Sequence, residues 1–327
     1  MNRRVKWIDK LKAISIMFVM LGHIDFCPAD WSYFYAPFFL SAFLFASGYT
    51  FNSKRTFSEF LINKIKTLIL PMFSFGLITI SSRLLISFND NHSIMKDLKD
   101  FIYQIRGKND ELWFIACIFG TSILFYFVIK LINSNRNFII AIIILALISI
   151  VYQYIIAIPL PWHIQMYGIG CFYMGLGALY KKNEYKMKKN IRYSCFYIVT
   201  IVYALVVYVQ YLYKDHPPVT LYYFGDSLIL YFITVLLGLM MIILFVNLIP
   251  DFRLLSFIGE NSFIYYAFHG KIESLLLVVF KKLNLFLIVP NMLLLLILYF
   301  IMEIIILIPI TLFINKYFLF VLGKKYK

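Results

Sequence analysis

The sequence predicts an all-α, polytopic integral membrane protein, and three features of its composition indicate that class. Hydrophobic residues make up 62% of the 327 positions and charged residues only 14%, with a mean hydropathy of +0.82. A soluble chain of this length cannot bury so much apolar surface. The apolar residues cluster in runs near the roughly 20 residues that a spanning helix needs, and basic residues collect between those runs.

Hydropathy along the chain predicts about ten transmembrane helices. The apolar runs cover residues 11–28, 33–51, 67–88, 112–132, 138–158, 162–180, 194–213, 227–249, 257–280 and 285–315. Because these runs occupy most of the chain, we expect residues 1–327 to form a single transmembrane domain with no separate soluble domain.

The basic residues predict the orientation of the helices. With the N-terminus inside, most of the Lys and Arg residues, including the run KKNEYKMKKNIR and the final KKYK, fall on that side. This is the positive-inside pattern, and it predicts that both termini are cytoplasmic. The net charge of +15 then reflects contact with anionic lipid headgroups, so a nucleic-acid partner is not expected. The four cysteines lie apart in apolar runs, and neither a disulfide nor a metal site is predicted.

The first apolar run carries two polar residues with a notable spacing. Lys12 and His23 are 11 residues apart, which is about 16 Å and three turns along an α-helix, so both side chains are expected on one stripe. Polar groups at membrane depth are costly and usually face a protein interior or a wet cavity. His23 is therefore a candidate site residue. Each residue also has a structural interpretation. His23 could be an interfacial histidine bonded to the backbone, and Lys12 could extend to the inner lipid headgroups.

Six segments, taken in order, resemble the acyltransferase 3 family of integral-membrane acyltransferases. The first helix of that family carries Arg or Lys, ten residues and then His, as Lys12 and His23 do here. The similar segments are RVKWIDKLKAISIMFVMLGHI, PFFLSAFLFASGYTF, FLINKIKTLILP, ELWFIACIF, FYMGLGALY and IGENSFIYYAFHG. Each motif is weak alone, but together they span nearly the whole chain.

The resemblance implies an O-acyltransferase in the cell membrane. Its donor would be a cytoplasmic acyl-CoA, with acetyl-CoA expected. Its acceptor would be a hydroxyl of a cell-surface, exported or lipid-linked glycan, and the machinery of polysaccharide synthesis is a further expected partner. Lys12 would meet the anionic donor as a point charge. His23 would act as general base or take the acyl group itself, and the general base is the preferred role.

The family resemblance also implies secondary site residues, with one departure. Family members often carry Arg-x-x-Arg before the Leu-Pro of the second inner loop, whereas this chain has Lys64 and Thr67 at those positions and Lys66 between them. Lys64 and Lys66 are predicted donor contacts, although lysine lacks the bidentate fork of arginine and ordinary positive-inside charge is the alternative.

Two further residues complete the predicted site. Glu111, at the outer start of the fourth run, could orient His23 or simply complement the helix dipole. His269 ends the late motif and lies four residues before Glu273, on one helix face. It is the second candidate histidine, and a structural interhelical hydrogen bond is its alternative.

Two other functions remain open from the sequence. A glycan or lipid-linked sugar transporter would also have polar groups within its membrane spans. A transporter needs no general base at a fixed depth, however. This sequence also has no pair of broken helices that would mark the two symmetric halves of a transporter. An inactive relative that serves as a scaffold is the other alternative. The Lys12–His23 stripe favours the enzyme.

Overall fold

The protein is helical throughout the part of the chain that the structure describes. This computed structural model describes residues 5–86, 94–105, 112–189, 192–215 and 224–323. It is 84% helical, and the described ranges contain no strand. The prediction of an all-α fold is therefore confirmed.

Seven helices of the described chain are long and apolar enough to cross a membrane. The expected number of about ten is not confirmed. The helix in the first run has only 16 residues, fewer than the roughly 20 that span a bilayer, and the run at 162–180 opens with a 3-10 turn and leads into a charged helical end. The cytoplasmic placement of both termini remains a prediction.

The chain divides into two compact units. The first comprises Met1–Ala46 and Lys182–Ile314. It contains all or most of α1 (Lys6–Leu21), α2 (Ser32–Tyr49), α9 (Tyr193–Leu212), α10 (Leu228–Leu248), α11 (Arg253–Glu260), α12 (Ser262–Lys282), α13 (Leu285–Ile288) and α14 (Met292–Tyr317).

The second unit comprises Ser47–Lys181 and Asn315–Lys327. It holds α3 (Phe57–Lys64), a π-helical segment (Ile65–Ile69), α4 (Leu70–Ile86), α5 (Ile94–Tyr103), α6 (Trp113–Leu131), α7 (Asn135–Ile155) and α8 (Tyr167–Lys189). The prediction that residues 1–327 form a single domain is not tested by this division.

The first helix is a central element of the first unit. Its apolar residues Leu11, Ile16 and Met20 are fully buried. The backbone of α1 also packs closely against the backbone of α11. A Cβ added at Gly259 would lie 1.8 Å from the carbonyl oxygen of Asp9. Glycine at position 259 therefore permits the close approach of α11 to α1.

A charged cluster fixes the N-terminal end of α1. Lys6 and Lys10 lie 3.0 Å and 3.1 Å from the carboxylate of Asp251, and Lys10 also donates to the carbonyl of Ile249 at 2.8 Å. Hydrogen bonds from Lys6 and Lys10 hold the pKa of Asp251 below its usual value. These contacts tie α1 to the connection that precedes α11.

Candidate active site

His23 lies just beyond the end of α1. The helix ends at Leu21, where Gly22 follows, because glycine is a poor helix former. The backbone N–H of His23 still donates to the carbonyl of Met20 at 3.0 Å. The regular helix expected to reach His23 thus ends two residues earlier, and the imidazole is exposed at its terminus.

The backbone determines which nitrogen of His23 carries a proton. Nδ1 lies 2.7 Å from the carbonyl oxygen of Val19. A carbonyl oxygen only accepts hydrogen bonds, so Nδ1–H is the donor. In the neutral ring, the lone pair is then on Nε2. This is the arrangement that a general base requires.

His269 lies directly against His23. The two ring centroids are 4.7 Å apart and the ring planes are nearly perpendicular, at 79°. His269 lies on α12 and is 7% exposed. Its Nδ1 donates to the carbonyl of Tyr266 at 2.8 Å, so the lone pair of the neutral ring is again on Nε2. The structure therefore brings together the histidines of the first and the late motif.

Polar side chains of α12 and α14 lie near the turn that follows His23. Glu273 on α12 lies close enough to Asp25 for their charges to interact. The Tyr299 hydroxyl donates to the backbone carbonyl of Glu273, and Glu303 lies close enough to Glu273 for their charges to interact. Asp25 and Tyr299 were not predicted as site residues. Asp25 has the plainest sequence signal, because it lies two residues after His23.

Lys12 is partly exposed on α1 and forms an ion pair within its own helix. Its Nζ lies 3.2 Å from the carboxylate of Asp9, whose side chain is only 5% exposed. Asp9 is one turn from Lys12, so this contact follows from their spacing along the helix. The pair holds the ammonium group in a defined position on α1.

Lys64 and Lys66 lie in the second unit, where α3 continues into the π-helical segment. The Lys64 ammonium lies 5.8 Å from the ring centroid of Phe60, and the charge of Arg55 is near enough to interact with it. Lys66 follows in the π-helical segment and is exposed. Thr67, where many family members have arginine, donates its hydroxyl to the carbonyl of Asn63.

Glu111, the remaining predicted site residue, lies outside the described residues. Among the residues that the structure does describe, no group of three or more His, Cys, Asp or Glu side chains is arranged to hold a metal ion.

The fold and this site define a multi-pass membrane protein in which His23, just beyond the first helix, contacts His269 on α12. Comparison with known proteins supplies the family: the model of the acyltransferase 3 family, described as an acyltransferase domain, matches residues 5–314. The chain belongs to this family and is a membrane acyltransferase that transfers groups other than aminoacyl groups. No curated protein and no solved structure matches the chain significantly.

Proposed function

We propose that the protein is an O-acyltransferase of the cell membrane. It takes an acyl group, with acetyl expected, from cytoplasmic acyl-CoA and places it on a hydroxyl of a cell-surface or exported glycan. The observation that supports this most strongly is the exposed His23, whose Nδ1 bonds the backbone and whose Nε2 remains available as a base.

The proposed chemistry assigns a role to each histidine. His23 accepts the proton of the acceptor hydroxyl, the hydroxyl oxygen attacks the thioester carbonyl, and the carbon–sulfur bond breaks. The same proton then passes to the CoA sulfur, so an ester and a free thiol are the products. His269, in edge-to-face contact at 4.7 Å, supports the His23 ring as it gains charge.

The function is tested in cells that express equal amounts of wild-type protein and His23→Ala, with Cys27→Ser as a control in the same loop. Proton NMR of the surface glycan measures O-acyl groups. We expect these groups to disappear in His23→Ala while glycan export continues, and to persist in Cys27→Ser. Unchanged acylation together with reduced surface glycan would instead support a transporter.

Lys12 is proposed to bind a phosphate of the donor, with Lys64 and Lys66 as further donor contacts. Lys12→Ala is expected to raise the KM for acyl-CoA by about tenfold, the loss of one charge-assisted hydrogen bond, with little change in kcat. Lys12→Arg retains the charge and should remain close to wild type. Titration of the initial rate with acyl-CoA measures both constants.

Lys6→Ala is the matched control, because Lys6 is exposed and pairs with Asp251. If Lys6→Ala raises the KM for acyl-CoA as much as Lys12→Ala does, Lys12 contributes only general surface charge and its assignment to the donor is wrong.

A further inference from the structure

A pocket of the first unit lies between α1, α2 and α9, close to the end of α1 that precedes His23. Its volume is about 590 Å³, within the range of roughly 300–1,000 Å³ that is usual for ligand pockets. Its walls include Phe18 and Leu21 of α1, Asp30 of the 3-10 turn before α2, Tyr35 of α2, and Ala204 and Tyr208 of α9. We call this space the aromatic pocket.

The walls of the aromatic pocket are almost entirely apolar. Phe18 stacks on Tyr35 with the ring centroids 5.5 Å apart, and Tyr33 meets Tyr211 edge to face at 5.6 Å. Paired rings of this kind form stiff sides. Covering such a surface with a hydrocarbon chain is favourable, because apolar area is removed from water. The chemistry of the walls therefore fits an apolar chain.

Helix α9 gives the aromatic pocket a side that is open to the bilayer. In the described chain, α9 is one of the helices long and apolar enough to cross a membrane, and only 11% of its most apolar stretch is buried. Its pocket residues Ala204 and Tyr208 are both exposed. An uncovered apolar face of a spanning helix contacts lipid chains. A hydrocarbon chain can thus enter the pocket sideways from the membrane.

The charge at the aromatic pocket bears on the headgroup that such a chain carries. Asp30 is exposed, and the described residues that line the pocket include no Lys or Arg. A carboxylate accepts hydrogen bonds from sugar hydroxyls, whereas it repels the phosphate of a phospholipid or of a polyprenyl phosphate. An uncharged sugar therefore fits this pocket better than a phosphate does.

The position of the aromatic pocket relative to His23 indicates which reactant it holds. At about 100° per residue, Phe18 and Leu21 lie roughly 140° and 160° around the helix from position 23. Gly22 separates the two sides, and a Cβ there would lie 3.2 Å from Tyr35. An acetyl group on a thioester carbonyl at His23 is too short to fill the pocket. A glycolipid can reach both places, because its hydroxyls and its chain are at opposite ends.

We propose that the aromatic pocket holds the hydrocarbon chain of an uncharged glycolipid, and that this glycolipid is the acceptor of the acyl group. Asp30 accepts hydrogen bonds from its sugar, and another sugar hydroxyl reaches His23. The inference rests on the proposed function and names the class of its acceptor. The chemical step is the one given above: the sugar oxygen gains the acyl group, the carbon–sulfur bond breaks, and the proton leaves with the CoA thiol.

A photoreactive glycolipid measures occupancy of the aromatic pocket without a catalytic step. Hexadecyl β-glucoside with a diazirine at its chain end is irradiated with the full-length protein in phosphatidylcholine nanodiscs, and mass spectrometry maps the label. We expect label on the pocket segments of α1, α2 and α9. Ala204→Trp, which narrows the pocket, should reduce this label at least about fivefold.

Leu205→Trp is the matched control for Ala204→Trp. Leu205 is the next residue of α9, is 60% exposed and does not line the aromatic pocket. Both variants place tryptophan at an exposed position of one helix, so the buried core is unchanged in each. We expect Leu205→Trp to keep the wild-type label. Equal labelling in the two variants would overturn the proposal.

Competition for the label identifies the headgroup and the source of the chain. Unlabelled hexadecyl β-glucoside should compete about tenfold better than hexadecyl phosphate, and Asp30→Asn should remove most of this preference. Equal competition by the two compounds in the wild type would mean that the pocket holds ordinary membrane lipid. Stronger competition by palmitoyl-CoA would assign the chain to the donor. Either result would overturn the proposal.

Rates of acyl transfer connect the aromatic pocket to the reaction. With acetyl-CoA and hexadecyl β-glucoside, Ala204→Trp should raise the KM for the glucoside at least about fivefold over Leu205→Trp, with equal KM for acetyl-CoA. Equal KM values for the glucoside, or transfer to free glycan alone, would overturn this inference. A wild-type protein that acylates no acceptor would overturn the proposed function, and the labelling would still decide what the pocket holds.

Discussion

His23→Ala is expected to lower the kcat of acyl transfer by about 10²–10⁴-fold, the contribution typical of a general base. The KM for acyl-CoA should stay nearly constant, because the proposed donor contacts are lysines elsewhere in the chain. Steady-state rates of purified protein, with ester formation measured at several donor concentrations, provide both constants. Cys27→Ser, in the same loop, should retain wild-type values.

His269→Ala tests whether the second histidine has a lesser role in catalysis than His23. His269 supports the His23 ring rather than taking the proton, so we expect a smaller loss in kcat, about tenfold. Because the rings are in contact at 4.7 Å, the double variant should be no slower than His23→Ala alone. If His23→Ala retains nearly full kcat while His269→Ala is inactive, the two roles are reversed and the general base is His269.

Gly259→Ala is expected to destabilise the fold strongly. The added Cβ would lie 1.8 Å from the carbonyl oxygen of Asp9, a backbone atom that cannot rotate away. The helices α1 and α11 would have to separate, and overpacking of this kind costs about 1–3 kcal/mol or more. Since α1 carries Lys12 and leads into His23, the separation would also displace the site.

Gly270→Ala is the matched control for Gly259→Ala. A Cβ at position 270 meets nothing within 4 Å, and alanine in a helix interior is more stable than glycine by roughly 0.5–1 kcal/mol. Thermal unfolding in detergent should show a lower midpoint for Gly259→Ala and an unchanged or higher one for Gly270→Ala. Equal shifts would mean that the α1–α11 contact is not tight.

The helical class could be predicted from the sequence, and His23 could be selected as a candidate site residue, because both depend on local patterns. Apolar runs indicate spanning helices, and a histidine near the end of such a run is unusual. The close contact of His23 with His269 could not be predicted from spacing. It depends on which helices pack together, and uniformly apolar surfaces carry little information about their neighbours.

The difference between about ten expected helices and the seven found in the described residues has a similar physical origin. Hydropathy counts apolar residues but does not detect where a helix ends, so the first run was expected to extend to residue 28 although α1 ends at Leu21. The sequence analysis also did not pair the charged residues that the structure brings together. Asp9 is three residues from Lys12 and could have been paired with it by spacing, whereas the proximity of Glu303 to Glu273 arises only from the packing of α14 against α12.

The most direct measurement is the number of ester bonds formed per CoA thiol released. Purified protein in lipid vesicles would be supplied with acetyl-CoA and a hydroxyl-bearing glycan, and both products would be counted over time. We expect one ester for each thiol with the wild-type protein and neither product above background with His23→Ala. Thiol release without ester, or equal ester formation by His23→Ala, would contradict the assignment of His23 as the base of an O-acyltransferase.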